Sequence, residues 1–425
     1  MKKNDLIELH VVDLHANGSG VGKKDGLAVF IPGALPGETI CVKILKVLKK
    51  YAYGKIHKII KASPHRIKSL CPVADKCGGC QFQHYEYSAQ LSFKEKLVSD
   101  VLARIGDCKK VNSSPIQGMD KPYQYRNKAQ FPKGLGFYAA RSHRIVPIDN
   151  CNIHHPACAE VLQAIKKLDL PLYDEETNTG LLRHVVVRVG FATNEVMVIL
   201  VLNGKWPGLP IDLPHTIIIN KNKAKTNVIL GPHFTTIQGS GYIHEEIGHI
   251  RYRISPRAFF QVNPTQTKIL YDTVASHISP STKVIDAYSG IGGIALYIAN
   301  LANEVTGVES VEEAVEDANY NAKLNKINNA SFLCAPAEEA VPKLLKESHY
   351  DTLILDPPRK GCDIKLLEAA ATTKTPQIIY VSCDPATQAR DIKFLSQNGY
   401  HLKSTQAIDL FPMTGHVENL CVLTI

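Results

Sequence analysis

Residues 284–293 read Val-Ile-Asp-Ala-Tyr-Ser-Gly-Ile-Gly-Gly, an apolar strand that runs directly into a glycine-rich turn. From about Ser255 onward such strands alternate with helical stretches, which is typical of a parallel sheet covered by helices. Glycines after a strand let the backbone approach a ligand at the carboxyl edge of that sheet. The C-terminal domain of residues 255–425 is predicted to hold seven strands, at residues 283–287, 304–309, 331–334, 351–356, 377–382, 401–408 and 419–425.

The composition of this turn favours one cofactor, S-adenosylmethionine. Asp286 precedes the turn, and the glycines follow the spacing Gly290-x-Gly292-Gly293 instead of the Gly-x-Gly-x-x-Gly of dinucleotide sites. Glu309 ends the next strand, 19 residues after Gly290, where its carboxylate can accept hydrogen bonds from both hydroxyls of a ribose. A nicotinamide cofactor and a purely structural turn are the alternatives.

Two further strand ends carry candidate chemistry. Asp356 follows the fourth strand in Leu-Asp-Pro-Pro-Arg, where the prolines hold the chain extended, and Cys383 follows the fifth strand in Ser-Cys-Asp-Pro. A solvated turn residue is the alternative for Asp356, and most single cysteines are packing residues. A thiol at the carboxyl edge of the sheet nevertheless indicates a nucleophile.

A nucleophilic thiol suits the methylation of uracil at C5. That carbon is a poor nucleophile until another group adds to C6, and a thiolate can add there and leave again. A base must then remove the C5 proton so that the thiol can be eliminated. Glu418, at the start of the last strand, is the candidate base, with His416 as its rival and a solvent-exposed glutamate as the structural alternative.

Residues 1–62 have the pattern of a small β-barrel. Short alternating strands separated by glycine and proline turns predict five strands. Residues 1–70 hold thirteen Lys and Arg against five Asp and Glu, so this region carries an excess of eight out of a net charge of +9. A solvated lysine face is the alternative, but lysines interleaved with apolar residues indicate one basic face that suits a polyanion. These lysines are Lys43, Lys46, Lys49, Lys50, Lys55, Lys58 and Lys61.

The chain has eleven cysteines, of which Cys71, Cys77 and Cys80 form one close group. A chain that keeps its thiols reduced uses such a group for metal binding or catalysis, not for disulfides. Four thiolates suit both zinc and an iron–sulfur cluster, so the residues leave these two alternatives open. The group lies in residues 63–254, which are predicted to form a β-rich central domain with helices at residues 87–105 and 159–168.

The sequence holds no run of about 18 apolar residues. Its N-terminus reads Met-Lys-Lys-Asn-Asp, which is unlike a secretory leader because no apolar segment follows the basic residues. We therefore expect a cytoplasmic protein with no membrane partner, and we expect it to act as a monomer.

Four motifs together resemble those of the RNA (uracil-C5)-methyltransferases. They are the strand and turn around Asp286, Asp-Pro-Pro-Arg from Asp356, Ser-Cys-Asp-Pro around Cys383, and Phe-Pro-Met-Thr-Gly-His-Val-Glu ending at Glu418. The resemblance extends across the chain, and residues 1–60 resemble a TRAM domain. It implies an α/β fold in which a Rossmann-like class I methyltransferase sheet is joined to an N-terminal oligonucleotide-binding β-barrel and a β-rich central domain.

The resemblance also implies a substrate. Family members that contain a TRAM domain act on large-subunit ribosomal RNA, whereas the bacterial transfer-RNA enzymes generally lack this domain. The resemblance therefore implies methyl transfer from S-adenosylmethionine to a uridine of 23S ribosomal RNA.

Individual residues match functional positions of the family. Cys383 matches the nucleophile and Glu418 matches the base. Gly293 stands where some members have Asn, which limits its implied role to a backbone contact. The positions that match contacts to S-adenosylmethionine are Gln261, Tyr288, Gly293, Glu309 and Asp356. The positions that match ligands of a 4Fe-4S cluster are Cys71, Cys77, Cys80 and, from a distant segment, Cys151, with Cys158 as the alternative fourth ligand.

Three other functions agree with parts of the sequence. The same reaction on transfer RNA needs no other residues, and an RNA-binding assembly factor keeps such a fold without catalysis. A nicotinamide-dependent oxidoreductase leaves the basic barrel without a role. The presence of both Cys383 and Glu418 argues against a loss of catalysis.

Overall fold

A computed structural model describes residues 1–109 and 111–425. The first five strands are β1 Leu6–Leu14, β2 Ser19–Lys24, β3 Leu27–Pro32, β4 Thr39–Val47 and β5 Tyr51–Lys61. They close into a barrel in the order β1-β2-β3-β5-β4, which confirms the predicted five-stranded barrel. Alternate residues such as Val11, Val29 and Ile40 fill its interior, while the lysines of β4 and β5 lie on the outer face.

The segment after the barrel packs on the C-terminal layer. Helix α1 (Tyr87–Arg104) buries Val98 and Leu102 in the same apolar core as Ile285, which belongs to the C-terminal region. Strand β6 (Asn112–Gln117) follows it. No helix within the described ranges combines the length and the apolar character that a membrane span needs.

The central region is built on an antiparallel sheet with one parallel pair. Its strand β11 is buried along its whole length, because helix α2 covers one face and the C-terminal core covers the other. The strand order is β13-β12-β11-β10-β7, and β8 and β9 form a separate hairpin. The elements are β7 Lys128–Pro132, β8 Gly136–Tyr138, β9 Ile145–Pro147, α2 Ala157–Lys166, β10 Leu182–Val189, β11 Val196–Leu202, β12 Thr216–Lys221 and β13 His233–Gln238.

The C-terminal region alternates strands and helices as predicted. A hairpin of β14 (Ile243–Ile247) and β15 (Ile250–Ile254) leads into it and packs in its core. The strands are β16 Lys283–Asp286, β17 Glu304–Glu309, β18 Ala330–Cys334, β19 Thr352–Leu355, β20 Gln377–Ser382, β21 His401–Ile408 and β22 Glu418–Thr424. The helices are α3 Pro264–Ala275, α4 Gly293–Ile298, α5 Glu312–Leu324, α6 Ala337–Glu347, α7 Ile364–Thr373 and α8 Pro385–Gln397.

The C-terminal sheet has eight strands, where the sequence predicts seven. Their order is β18-β17-β16-β19-β20-β22-β21-β6, so the edge strand β6 comes from the segment that precedes the central sheet. Its residues, Asn-Ser-Ser-Pro-Ile-Gln, are mostly exposed and carry no apolar alternation, which is why the pattern does not predict it. The seven predicted strands are all present.

Candidate active site

Four neighbouring strands bring four candidate side chains to one edge of the sheet. Asp286 ends β16, Asp356 follows β19, Cys383 follows β20 and Glu418 begins β22, and these strands lie side by side. Strand β22 runs antiparallel to β20, with Asn419 opposite the last residue of β20. The next pair in this register is Cys383 and Glu418, so the predicted nucleophile and the predicted base lie opposite each other.

The glycine turn after β16 is shaped by close contacts. Gly292 has a φ of 81°, a conformation that glycine adopts without strain, and α4 begins at the next residue. A Cβ atom at Gly293 would come 2.5 Å from the hydroxyl oxygen of Tyr271, so a side chain at this position would require the Tyr271 ring to shift. The backbone N–H of Gly290 donates a hydrogen bond of 3.1 Å to the carboxylate of Glu309.

Four of the five predicted cofactor contacts line one cavity at this edge. Gln261, Tyr288, Gly293 and Asp356 surround it together with the strand end of β16. Glu309 lies outside this lining. Its carboxylate accepts hydrogen bonds from the backbone N–H groups of Gly290 and Val311, so its contact with a ribose stays a prediction. The cavity encloses about 40 Å³, less than the roughly 300 Å³ of a typical ligand pocket.

The charges in this cavity suit a cationic ligand. Burial and, next, the charge of Asp356 raise the pKa of Asp286 to about 7, and burial raises the pKa of Asp356 to about 7. Within the described chain, Oδ1 of Asp286 and the hydroxyl of Ser289 have no hydrogen-bond partner. S-adenosylmethionine carries a sulfonium and an ammonium group, so the residues present fit this cofactor.

Cys383 and Glu418 influence each other's ionisation. Burial raises the pKa of the Cys383 thiol to about 11, with the carboxylate of Glu418 as the next cause, while Arg359 acts in the opposite direction. Burial and the charge of Asp356 raise the pKa of Glu418 well above its ordinary value, and Arg359 again opposes the shift. Burial therefore favours the protonated form of both groups in the free protein, whereas Arg359 favours their ionised forms.

The turn that carries Cys383 is held by its neighbours. The hydroxyl of Ser382 accepts a hydrogen bond of 3.1 Å from the backbone N–H of Asp384. The carboxylate of Asp384 caps α8 by accepting from two backbone N–H groups, at 3.0 and 3.2 Å. Cys383 thus lies just before the positive end of a helix, where a thiolate is favoured.

A buried network that the sequence does not predict holds the loop before Glu418. The ammonium of Lys94 on α1 donates at 2.6 Å to Asp409, and both side chains are fully enclosed. The hydroxyl of Tyr87 donates to the other oxygen of this carboxylate at 2.9 Å. The backbone N–H groups of Gln81 and Phe82 each donate to the carbonyl of Met413 at 3.0 Å. The cysteine segment and the loop that leads to Glu418 are therefore tied together.

Comparison with known proteins identifies the family. A profile described as tRNA (Uracil-5-)-methyltransferase matches residues 240–424, and a TRAM domain profile matches residues 2–57. An uncharacterized RNA methyltransferase of Halalkalibacterium halodurans is 44% identical over 453 aligned residues, which cover 100% of this chain and 98% of that protein. The chain belongs to the RNA (uracil-5-)-methyltransferase family. A second uncharacterized RNA methyltransferase, of Caldanaerobacter subterraneus, is 42% identical and covers 100% and 99% of the two chains.

The fold comparison gives the same result for the whole chain. The structure is similar to that of Pyrococcus abyssi tRNA (uracil-54, C5)-methyltransferase in complex with S-adenosyl-L-homocysteine, with a TM-score of 0.80 and 28% identity. The similarity covers 98% of this chain and 100% of that chain. The predicted fold class, a TRAM barrel with a class I methyltransferase sheet, is confirmed. The protein is an RNA methyltransferase, and S-adenosylmethionine, the predicted methyl donor, agrees with its family.

In this methyltransferase the four predicted cluster ligands line one cavity of about 500 Å³, and Cys158 does not line it. Burial, together with the nearby thiols of Cys151, Cys77 and Cys71, raises the pKa of Cys80 to about 12. The four sulfur atoms therefore lie near one another. No group of three or more side chains in metal-binding geometry occurs in the described ranges, so the iron–sulfur cluster stays a prediction.

The TRAM barrel carries an aromatic row that the sequence analysis missed. The rings of Tyr51 and Tyr53 on β5 and Phe30 on β3 contact one another at centroid distances of 5.5 to 6.0 Å. The guanidinium of Arg141 lies 5.6 Å from the ring centre of Tyr53. Lys55 follows on the same face of β5, because alternate residues of a strand share a face. The alternation Tyr-x-Tyr-x-Lys from Tyr51 to Lys55 is the sequence pattern that indicates this row.

Proposed function

We propose that this protein transfers a methyl group from S-adenosylmethionine to C5 of a uridine in 23S ribosomal RNA through a covalent bond between Cys383 and C6. The observation that carries the proposal is the β20–β22 register, which sets Cys383 opposite Glu418 at the same edge of the sheet as the cofactor cavity. Asp356 follows the strand beside β20 and also lines that cavity. A nucleophile, a base and a methyl-donor site thus meet at one edge.

The residues act in a fixed order. Cys383, as the thiolate, adds to C6 and makes C5 nucleophilic. S-adenosylmethionine supplies an electrophilic methyl group, which C5 takes, and S-adenosylhomocysteine leaves. Glu418, as the carboxylate, removes the C5 proton, and the C6–sulfur bond then breaks to regenerate the thiolate. Arg359 favours the ionised form of both groups.

His416 is the rival base. Desolvation, together with the positive charges of Arg359, Lys94 and Arg126, lowers its pKa, so the ring is neutral at pH 7 and able to accept a proton. The register of β20 and β22 sets Glu418 directly opposite Cys383, whereas His416 lies two residues before Glu418 along the chain. This proximity favours Glu418.

Transfer RNA is the second candidate substrate. The Pyrococcus abyssi enzyme named above is a tRNA methyltransferase, and its similarity covers 98% of this chain, which includes the barrel. A TRAM barrel therefore agrees with either RNA. The test is to map 5-methyluridine in ribosomal and transfer RNA from cells with and without the gene, and to assay transcripts of both with the purified protein. Loss of the modification from 23S RNA alone supports the proposal, and loss from transfer RNA alone contradicts it.

We propose further that Cys71, Cys77, Cys80 and Cys151 hold a 4Fe-4S cluster. All four thiols line one cavity, and the backbone after Cys80 donates to the carbonyl of Met413. A cluster there would brace the loop that leads to Glu418, which is a structural role. Cys158 is buried on α2 and does not line this cavity, which supports Cys151 as the fourth ligand.

Anaerobically purified protein is expected to be brown and to contain about four irons per chain. Replacement of any one of the four ligands by Ser should lower the iron content, because a four-cysteine cluster needs each thiolate. Iron analysis and the visible absorption spectrum are the measurements. The Cys158→Ser variant is the matched control and should keep its iron. A colourless protein with one tightly bound zinc contradicts the cluster.

The TRAM barrel is proposed to capture the RNA. Lys43 on β4 and Lys55 on β5 are directly opposite each other on the outer face, an arrangement that is unfavourable without an anion between them. The aromatic row on β5 adds flat surfaces on which unpaired bases stack. Basic strands with interleaved aromatics are typical of single-strand binding.

Removing four barrel lysines is expected to weaken RNA binding and to flatten its salt dependence. Each phosphate contact on single-stranded RNA contributes about −0.7 to the slope of log affinity against log salt, so four contacts contribute a slope near −3. Fluorescence anisotropy at several salt concentrations measures both quantities, and the affinity for S-adenosylmethionine should stay unchanged. The exchanged residues are Lys46, Lys49, Lys50 and Lys55, each replaced by Ala.

A second variant with four exposed lysines outside the barrel replaced by Ala is the matched control. It removes the same charge and should bind RNA almost as the wild type does. An equal loss in both variants means that only the overall charge matters, and no loss in the barrel variant means that its lysines are only solvated. The control lysines are Lys167, Lys205, Lys346 and Lys393.

A further inference from the structure

The cavity lined by the four cysteines extends to the catalytic edge. Its lining includes three basic side chains, Arg126, Lys128 and Arg359, and within the described part of the chain it includes no Asp or Glu. His416 also lines it. Phe259 lines this cavity and the cofactor cavity, so the two adjoin. Among the described residues of this lining, the charged side chains are therefore basic, apart from the cysteines when these are ionised.

Two cationic side chains of this region lie opposite each other on neighbouring strands of the central sheet. Lys128 begins β7 and lies directly opposite Arg188 of β10, so their side chains share one face. Arg188 is 5% exposed; its Nη2 donates to the carbonyl of Ala258, and within the described residues its Nε has no partner. Asp317 is the carboxylate that acts on Arg188, but Arg253 already binds it at 2.7 Å.

This arrangement costs stability. Like charges directly opposite each other destabilise a sheet, and burial adds a desolvation penalty. Burial, followed by the charges of Arg188 and Arg126, lowers the pKa of Lys128 to about 7, and burial lowers the pKa of Arg188 to about 10. A destabilising cluster of ionisable groups in a cavity is typical of a functional site. An anionic ligand would offset the cost.

We propose that Lys128, with Arg126 beside it and Arg188 behind it, binds a phosphate group of the RNA chain next to the target nucleotide. The proposal rests on the proposed function, because a uridine drawn out of its stack keeps a phosphate on each side. The cavity continues from Lys128 to Arg359, the side chain that acts on Cys383. A phosphate held there offsets part of the few kcal/mol that extrusion of the base costs.

The test measures binding alone. The probe is a fluorescent oligouridylate of about twelve nucleotides, titrated at several salt concentrations in the presence of S-adenosylhomocysteine. The variants are Lys128→Met, Lys128→Arg and, as a matched control for the loss of one lysine of the same region, Lys205→Met, whose side chain is exposed. Lys128→Gln replaces Lys128→Met if that variant does not fold. Because no turnover is read, the result stands whether or not the protein methylates uridine.

Lys128→Met is expected to reduce the salt slope by about 0.7, which corresponds to roughly eightfold weaker binding at 50 mM salt. Lys128→Arg and Lys205→Met should bind as the wild type does. The thermal midpoint of Lys128→Met should equal or exceed that of the wild type, because a like-charge contact is removed. The affinity for S-adenosylhomocysteine should not change.

Three outcomes overturn the proposal. The first is an unchanged slope in Lys128→Met, which means that this lysine contacts no phosphate. The second is weaker binding together with a lower thermal midpoint and an unchanged slope, which indicates damage to the fold. The third is unchanged RNA binding with reduced iron content, which means that Lys128 balances the negative charge of a cluster bound by the cysteines and does not bind RNA.

Discussion

Cys383→Ala is expected to lose methyl transfer by roughly 10⁴-fold or more, the scale on which removal of a catalytic nucleophile acts. The thiol is proposed to form the bond to C6, and Cys334, which ends β18 at the same edge, lies four strands away from β20. S-adenosylhomocysteine should bind the variant as it binds the wild type, because Cys383 does not line the cofactor cavity. Transfer of a radiolabelled methyl group and calorimetric binding are the two measurements.

RNA that carries 5-fluorouridine provides the direct test. Fluorine at C5 cannot leave as a proton, so the wild type should remain bound to the RNA in a complex that survives denaturing electrophoresis. Cys383→Ala should give no such complex. Cys334→Ala removes an exposed cysteine and should behave as the wild type. If the wild type forms no complex with RNA that it does methylate, Cys383 is not the nucleophile.

The rate of formation of this complex should rise with pH. Only the thiolate adds to C6, and the pKa of Cys383 is raised to about 11, so the thiolate is scarce at neutral pH. The single-turnover rate with saturating RNA should therefore increase by about tenfold per pH unit between about pH 7 and pH 9. A rate that is flat over this range contradicts a raised pKa in the complex with RNA.

Glu418→Gln is expected to stall the enzyme after methyl transfer. Addition of the thiol and transfer of the methyl group come before removal of the C5 proton, so the variant should accumulate RNA that is both methylated and covalently bound. The fold should persist, because Gln has nearly the same shape as Glu and burial, which raises the pKa of Glu418, favours its neutral form.

Electrophoresis after incubation with unmodified RNA and labelled methyl donor detects this species. The matched control is Glu316→Gln, which changes an exposed glutamate on α5 and should turn over normally. Normal turnover by Glu418→Gln with no bound RNA assigns the base to His416 or to water. His416→Ala then separates these two, because only the loss of a histidine base abolishes turnover.

Much of the fold follows from local patterns. The predicted strands from β16 to β22 are present, because each is an apolar run between turns. The turn after β16 contains backbone conformations with positive φ, which the glycines in the sequence predict. Helix α1 and the barrel are likewise read from the spacing of apolar residues. The sequence pattern does not predict strand β6, because its stability comes from pairing with β21 at the edge of the sheet and not from its own polar residues.

The sequence by itself determined which residue types stand at the ends of the strands, among them Asp286, Asp356, Cys383 and Glu418. Their side-by-side arrangement was decided by the tertiary structure, because β22 inserts antiparallel between β20 and β21 and so sets Glu418 opposite Cys383. A local pattern states that a strand forms but not which strand it pairs with.

The same reason applies to charges. The sequence lists Lys128 and Arg188 sixty residues apart as ordinary basic residues. Only the pairing of β7 with β10 brings them together in a buried place without a free carboxylate. Lys94 and Asp409, by contrast, form an ion pair that joins α1 to the loop that leads to Glu418. Whether a charge is solvated, paired or left for a ligand depends on which distant segments enclose it, and that is a property of the packed chain alone.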